Sequence, residues 1–273
     1  MEKKSGSTGN GTVLWEVDHR GVATVTLNRP DVNNAYNGDM LYGLHEAMDL
    51  LGAQQGLRVV VLRGNGKHFQ AGADLSWINA QGKLGPDANL EASRVTGGVV
   101  KRLNELPIPT VAMVQGGCFG GGTGVLAACD IVVAADSAFF AITEARWGLM
   151  ASVIFPHLVQ AIGVRNVRRY ALTCERMDAA TAQRIGLVHE VCPLDKLAEV
   201  TEKIVDTLIM NGPNAVSTTK QLTMKVAESY LDDEEFMFLV RKHAQTRQSE
   251  EAAEGTRSFL EKRHPSWYVP KGE

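Results

Sequence analysis

The 273-residue chain is 44% hydrophobic and 22% charged, with a formal net charge of -3, the composition of a globular protein able to bury a sizeable core. It has no basic excess to attract nucleic acid, and no apolar run approaches the roughly 20 residues of a membrane span. Cys118, Cys129, Cys174 and Cys192 have neither metal-ligand spacing nor the density of a disulfide scaffold, which fits a reducing cytoplasm.

Met1 to Thr12 is rich in Ser, Gly and Lys, lacks the apolar centre of a signal peptide, and reads as a disordered lead-in. Val13–Val17 and Val22–Leu27 flank Asp18-His-Arg-Gly21 and predict a β-hairpin. Leu41, Leu44, Met48 and Leu51 fall on one face of a helix over 40–51. Leu57–Leu62 is a near-continuous apolar strand, expected to be covered on both faces. Gln81–Asn89 is polar and contains Gly and Pro, so it reads as a mobile loop. Leu90–Leu106 then reads as a helix stopped by Pro107 and Pro109. Strands are expected at 110–114, 131–134, 139–142 and 187–191, and helices at 157–172 and from Asp178 to near Gly186. Beyond about Leu194 only helical signals remain, three or four in number. Strands alternating with helices, then a helical tail, indicate an α/β fold with a C-terminal helical segment.

Three stretches can carry chemistry. Gly116 to Asp130 holds six glycines in fifteen positions, directly after a predicted strand. Such a turn either packs tightly or presents backbone N–H groups at a helix start to an electron-rich ligand. Ala71-Gly-Ala-Asp74 is a second small-residue turn after a strand and can offer another N–H. Two donors aimed at one point form an oxyanion hole, where each can matter by roughly 3–4 kcal/mol. Glu144 lies where a strand yields to the Trp-containing stretch Ala145–Phe155. It is either a surface or capping residue, or a carboxylate desolvated beside Trp147, Leu149 and Met150, with its pKa raised toward useful proton transfer.

Asn34-Ala35, His68-Phe-Gln-Ala-Gly-Ala-Asp-Leu75, Gly116-Gly-Cys-Phe-Gly-Gly-Gly122, Ala128-Cys-Asp130 and Ser258-Phe-Leu-Glu-Lys-Arg263 occur in this order along the chain. Together they resemble the crotonase (enoyl-CoA hydratase/isomerase) superfamily over about 13–263. The resemblance implies a spiral core of ββα units over 13–194. It further implies a helical segment over 195–273 that builds a homotrimer or hexamer. It implies an acyl-CoA substrate, so that coenzyme A enters with the substrate and no separate cofactor is needed. By position, the thioester oxygen would be held by the N–H groups of Ala73 and Gly121. Ala35, Ala71, Leu75, Gly124 and Trp147 would line the substrate site, with Ala71 at the adenine. Phe259 and Lys262 would reach the nucleotide end, from a neighbouring subunit.

Hydratases of this family commonly use two glutamates. The first falls five residues after the phenylalanine of the glycine motif, where this chain has Gly124. The second falls fourteen residues after the Cys-Asp aspartate, which is Glu144. A frequent Pro-Gly-x-Gly-Gly loop here reads Ala151-Ser-Val-Ile-Phe-Pro156, and Val32, Asn33 and Ser76 stand at positions often basic. The glycine at 124 is expected to leave a wider, less polar pocket suited to a branched acyl chain. Arg168-Arg-Tyr-Ala-Leu-Thr-Cys-Glu-Arg176 and Val153-Ile-Phe-Pro156 resemble bacterial family members that act on branched, glutaconyl-type thioesters, and so imply such a substrate. His157 lies near that loop but reads as packed or solvated, Cys118 and Cys129 as core, and Asp130 as a backbone anchor. Arg168, Arg169 and Glu175 read as surface or structural. The expected activity is hydration of an α,β-unsaturated acyl thioester. The same hole also suits isomerisation, decarboxylation, C–C cleavage or thioester hydrolysis, or a non-catalytic thioester-binding subunit.

Overall fold

The computed structural model describes residues 3–227 and 232–272. The hairpin around Asp18 forms as predicted: β2 (Val13–Val17) pairs antiparallel with β3 (Val22–Leu27). Asp18 Oδ1 accepts from the N–H groups of Arg20 and Val22 at 2.8 and 3.0 Å, which closes the turn. The expected disordered lead-in is instead a strand, β1 (Lys4–Thr8), paired with β2 in the register Gly6↔Trp15. Backbone pairing needs no apolar side chains, and the absence of a Cβ at Gly6 makes room for the Trp15 ring. Thr8 is buried, and its hydroxyl donates to the Gly43 carbonyl at 2.7 Å.

From β3 the sheet turns parallel, through β4 (Val59–Gly64), β5 (Thr110–Val114), β7 (Ile131–Ala135) and β10 (Glu190–Cys192). Parallel strands covered on both faces read as unbroken apolar runs, and Val59-Val-Val-Leu62 and Val132-Val-Ala-Ala135 are all buried. A second, three-stranded sheet comprises β6 (Gly117–Phe119), β8 (Phe139–Ala141) and β9 (Met177–Asp178). Two of its strands lie outside the sequence expectation, β6 being hidden inside the glycine run.

One face of the main sheet is covered by α1 (Gly38–Gly52), whose Met40, Leu41, Leu44, Ala47 and Leu51 are buried. The expected loop at 81–89 is mostly helix: α2 (Leu75–Gly82) and α3 (Pro86–Glu105) are separated only by 83–85. Pro86 opens α3, and Asn89 Nδ2 donates to the carbonyls of Gln81 and Leu84 at 2.9 and 3.0 Å, so the polar residues make the connection rather than loosen it. The short α4 (Gly121–Ala128) is buried along most of its length. The remaining helices are α5 (Phe155–Thr173), α6 (Ala179–Ile185), α7 (Leu197–Met210), α8 (Pro213–Ala227), α9 (Asp233–Arg247) and α10 (Glu250–Leu260).

The helical tail does not begin as a separate unit at 195. Leu197, Val205 and Ile209 of α7 belong to the same core cluster as the sheet. Arg20, only 6% exposed, ties the first hairpin to α7 through Glu202 at 2.6 Å and Asp206 at 3.0 Å. Lys220 of α8 pairs with Asp130 at 2.7 Å, while Asp130 also accepts from the Thr110 N–H and hydroxyl, the anchoring role expected of it. Helices α8 and α9 have no buried residues within the chain.

One polar residue fixes the connection from β3 to the site. Asn34 is fully buried with φ +58°. Its Oδ1 accepts from the Arg29 N–H at 2.8 Å, and its Nδ2 donates to the carbonyls of Asn65 and His68 at 2.8 and 2.9 Å. Asn34→Ala strands these groups and adds a left-handed penalty, an expected loss of about 3 kcal/mol or more in urea unfolding. Asn34→Gly removes only the second contribution and should lose less.

Candidate active site

Two turns meet because short bridges pin them. Gln70 pairs with Cys118 and Tyr36 with Ala73 in isolated parallel bridges. The Phe119 N–H donates to the Gln70 carbonyl at 2.9 Å, and the Gly120 N–H to the Ala141 carbonyl at 2.9 Å. Gly72, at φ +81°, packs so closely that a methyl group there would lie 3.1 Å from the Phe119 carbonyl oxygen. Asp74 caps α2 by accepting from the Ser76 N–H at 3.0 Å and pairs with Arg29 at 3.1 Å, while Arg29 Nη1 donates to the Ala35 carbonyl. Burial opposes ionisation of Asp74, but these bonds win and hold its pKa below the usual range.

Around Ala73 the Tyr36 N–H donates to the Gly72 carbonyl and the Asp74 N–H to the Tyr36 carbonyl, both at 2.8 Å. The Ala73 N–H between them has no acceptor among the described residues, nor has the Gly121 N–H at the start of α4. Both residues line one cavity of about 580 Å³. A backbone N–H without a partner is uncommon, and two facing one cavity make a site for an electron-rich oxygen.

Glu144 opens a 3-10 helix (Glu144–Trp147) directly beyond β8 and is the sole carboxylate among the described residues that line this cavity. A methyl group at Gly120, whose φ is +51°, would lie 3.1 Å from Glu144 Oε1, so the glycine admits the carboxylate to the turn. Glu144 Oε2 is buried without a hydrogen-bond partner. Burial pushes its pKa up, partly offset by the backbone N–H groups of residues 144 and 143. Trp147, Leu149 and Met150 also line the cavity, yet Trp147 is 58% exposed, so this segment forms an open apolar rim. Arg146 and Arg176 line the cavity as well. Arg146 donates to the Cys174 carbonyl at 3.2 Å and Arg176 lies over the Phe139 ring at 5.0 Å, and neither has a carboxylate partner among the described residues.

A family model for enoyl-CoA hydratase/isomerase matches residues 18–269. The chain belongs to the enoyl-CoA hydratase/isomerase family. A Thermus thermophilus protein assigned as an enoyl-CoA hydratase is 34% identical over 92% of this chain and 99% of its own. The Pseudomonas fluorescens hydroxycinnamoyl-CoA hydratase-lyase is 32% identical over 81% and 83%. A crystal structure of a Legionella pneumophila protein assigned to the enoyl-CoA hydratase/isomerase (crotonase) group superposes with a TM-score of 0.89, at 38% identity over 94% and 98%. The crotonase-type α/β fold expected from the motifs is therefore the fold of this chain.

Measured against the residues that the family resemblance implies, Ala71, Ala73, Leu75, Gly121, Glu144 and Trp147 all line the cavity. Ala35 does not; it is buried and acts through its carbonyl on Arg29. Phe259 and Lys262 also lie elsewhere, Phe259 being 82% exposed at the end of α10. His157 faces away as well: it is half-buried and its pKa is lowered by that burial, with the Glu105 charge opposing. Cys118 and Cys129 are buried core thiols, and Arg169 pairs with Glu175 at 2.6 Å on the surface. Sequence reasoning missed Tyr36, Arg146 and Arg176, which carry no motif spacing. Among the described residues no helix is long and apolar enough to cross a membrane, and no three His, Cys, Asp or Glu side chains cluster as metal ligands.

Gly124 requires a correction. The vacancy expected there is filled: a methyl group on Gly124 would lie 2.2 Å from Ile154 Cγ2 and 2.5 Å from its Cβ. Ile154 is buried and lines the cavity, so an apolar wall occupies the place of the first glutamate. Gly124→Ala should therefore cost about 1–3 kcal/mol by overpacking. In the Ile154→Ala background the same change should cost markedly less, which a double-mutant cycle of urea unfolding reads directly.

Proposed function

We propose that this enzyme hydrates an α,β-unsaturated acyl-CoA thioester, with Ala73 and Gly121 binding the thioester oxygen and Glu144 moving the proton. The observation that carries this reading is a pair of unpartnered N–H groups on residues that line one cavity with Glu144, whose Oε2 is buried without a partner. The hydratase names of the Thermus and Pseudomonas relatives support it. The Glu144 carboxylate accepts a proton from water as the water oxygen bonds to the β-carbon. The π electrons move onto the thioester oxygen, and the resulting enolate is stabilised by the two N–H groups. Glu144 then gives the proton to the α-carbon, which restores the carboxylate. Coenzyme A serves as the handle of the substrate, and no separate cofactor takes part.

The acyl chain proposed is branched and glutaconyl-type. Since Ile154 closes the space at Gly124, this reading now rests on charge. A glutaconyl chain ends in a carboxylate, and Arg146 and Arg176 are guanidiniums that line the cavity without a carboxylate partner among the described residues. Both are exposed in the free chain, and a charge-assisted bond to a carboxylate strengthens as the bound substrate covers them.

The chain is further proposed to assemble as a homotrimer or hexamer. Phe236, Met237 and Val240 of α9 and Phe259 and Leu260 of α10 are exposed, more apolar surface than a soluble monomer commonly leaves in one segment. Assembly also supplies the route by which Phe259 and Lys262 would reach a neighbour's nucleotide.

Two variants and the parent enzyme, assayed on crotonyl-CoA and 3-methylglutaconyl-CoA, test the chemistry. Glu144→Gln should bind both thioesters yet lose at least about 10²-fold in kcat; unchanged turnover would make Glu144 a bystander. In the parent enzyme kcat/KM should fall as pH drops through a value above the ordinary carboxylate range, because only the ionised Glu144 can accept the water proton. Arg176→Ala should cost about tenfold or more in kcat/KM on the glutaconyl thioester and little on crotonyl-CoA. Equal effects on both would remove the carboxylate-bearing substrate. For assembly, light scattering at micromolar concentration should give a multiple of three times the 29.6 kDa chain mass, and a monomer would refute it.

A further inference from the structure

The mechanism above leaves Tyr36 unused, although it connects both backbone donors. Its main chain brackets Ala73, accepting from the Asp74 N–H and donating to the Gly72 carbonyl. Its side chain crosses to the other turn: a methyl group at Gly121 would lie 2.8 Å from Tyr36 Cε1 and 3.2 Å from the hydroxyl oxygen. The ring is held edge-on by Trp77, with centroids 6.1 Å apart and planes at 67°. The hydroxyl makes no hydrogen bond within the described residues, and Tyr36 lines the cavity. Glu144 flanks Gly120, the neighbouring position, whose Cα is about 3.8 Å from that of Gly121. A phenol without a protein partner is thus fixed beside Gly121, on the residue whose backbone brackets Ala73, and feels the charge on Glu144.

The geometry points to Tyr36 as a third donor to the thioester oxygen, a catalytic hydroxyl that strengthens its hydrogen bond as the enolate forms. This inference rests on the thioester reading of the site and assigns one more group to it. Burial, then the Glu144 charge, push the phenol pKa up, so it stays a neutral donor across the working range. The other charged groups that line the cavity are Arg146 and Arg176, and the Asp74–Arg29 pair bonds to the backbone carbonyls of Tyr36 and Ala35. A neutral donor adds no charge to the resting site, yet it gains when negative charge arrives on the oxygen. It therefore acts on the enolate more than on the bound ester, which favours kcat over KM.

The test uses Tyr36→Phe, which keeps the ring and its packing, and two thioesters that are not turned over by hydration. Acetoacetyl-CoA ionises to an enolate with its own ultraviolet band, whereas butyryl-CoA is saturated and does not. In Tyr36→Phe the pH at which half the bound acetoacetyl-CoA is enolate should rise by about one unit or more, a tenfold loss of enolate preference. The Kd for butyryl-CoA should stay within about twofold, and kcat on the hydrated substrate should fall by about 10- to 10²-fold with KM nearly constant. A role confined to positioning the turns would weaken both thioesters together and leave the enolate midpoint in place, which overturns the inference. An unchanged midpoint with unchanged kcat overturns it too, with the hydration reading intact. If the parent enzyme binds neither thioester, the thioester reading fails and the inference with it.

Discussion

The site depends on a four-residue wedge, 33–36, held between two turns. Asn33 and Asn34 take consecutive left-handed conformations at φ +54° and +58°, which asparagine tolerates because its short amide can bond locally. That kink lets Asn33 accept from the Ala71 N–H and Tyr36 bracket Ala73, while Asn34 fills the space beneath with three hydrogen bonds. These bonds consume the N–H groups of residues 71 and 74 and the carbonyl of Gly72, and they leave the Ala73 N–H without an acceptor among the described residues. On the opposing turn the Gly120 N–H goes to Ala141 and the Thr123 N–H returns to Gly120, so the Gly121 N–H is left over in the same way. Donors left without an acceptor are costly in a folded chain, and the two at Ala73 and Gly121 belong to residues that line the cavity.

The electrostatics follow from what stands opposite. With Ile154 in the place of a second carboxylate, Glu144 has no like charge beside it to raise its pKa, and burial alone does so. The apolar wall strengthens that effect by keeping water from one side of the carboxylate. The two guanidiniums of the cavity then meet a single negative charge, and one of them, Arg176, rests on aromatic rings rather than on an acid. Such a lining is complementary to a substrate that brings a carboxylate of its own.

Much of this was legible in the sequence, and the remainder has identifiable causes. Apolar runs and periodicity located the first hairpin, β4, β5, α1 and α6, because burial on a fixed face leaves a pattern. The fifteen-residue glycine stretch and Ala71–Asp74 announced the two donors, since only side-chain-free turns approach this closely. β1 was illegible because an edge strand of Ser, Gly and Thr is held by backbone bonds and one Trp ring. The helix break at 83–85 was overestimated because Asn89 turns polar composition into a cap. Gly124 misled for a different reason: the identity of a missing side chain says nothing of what fills its place, and Ile154 is thirty residues away. Tyr36 and Arg146 enter the site through tertiary contact alone, so no spacing could announce them; Arg176 closes the stretch whose resemblance implied a glutaconyl-type substrate, but no role for it could be read from spacing.

A single carboxylate also constrains the course of the hydration proposed above. Among the described residues, Glu144 is the one acid that lines the cavity, and the wall across from Gly124 is aliphatic. The proton taken from water and the proton given to the α-carbon must then pass through the same group. Both new bonds consequently form on the face of the double bond turned toward Glu144. The intermediate must stay in place long enough for the carboxyl to move from the β- to the α-carbon, a displacement of about one C–C bond. In the proposed reaction, holding the enolate oxygen through that interval would fall to the donors at Ala73 and Gly121.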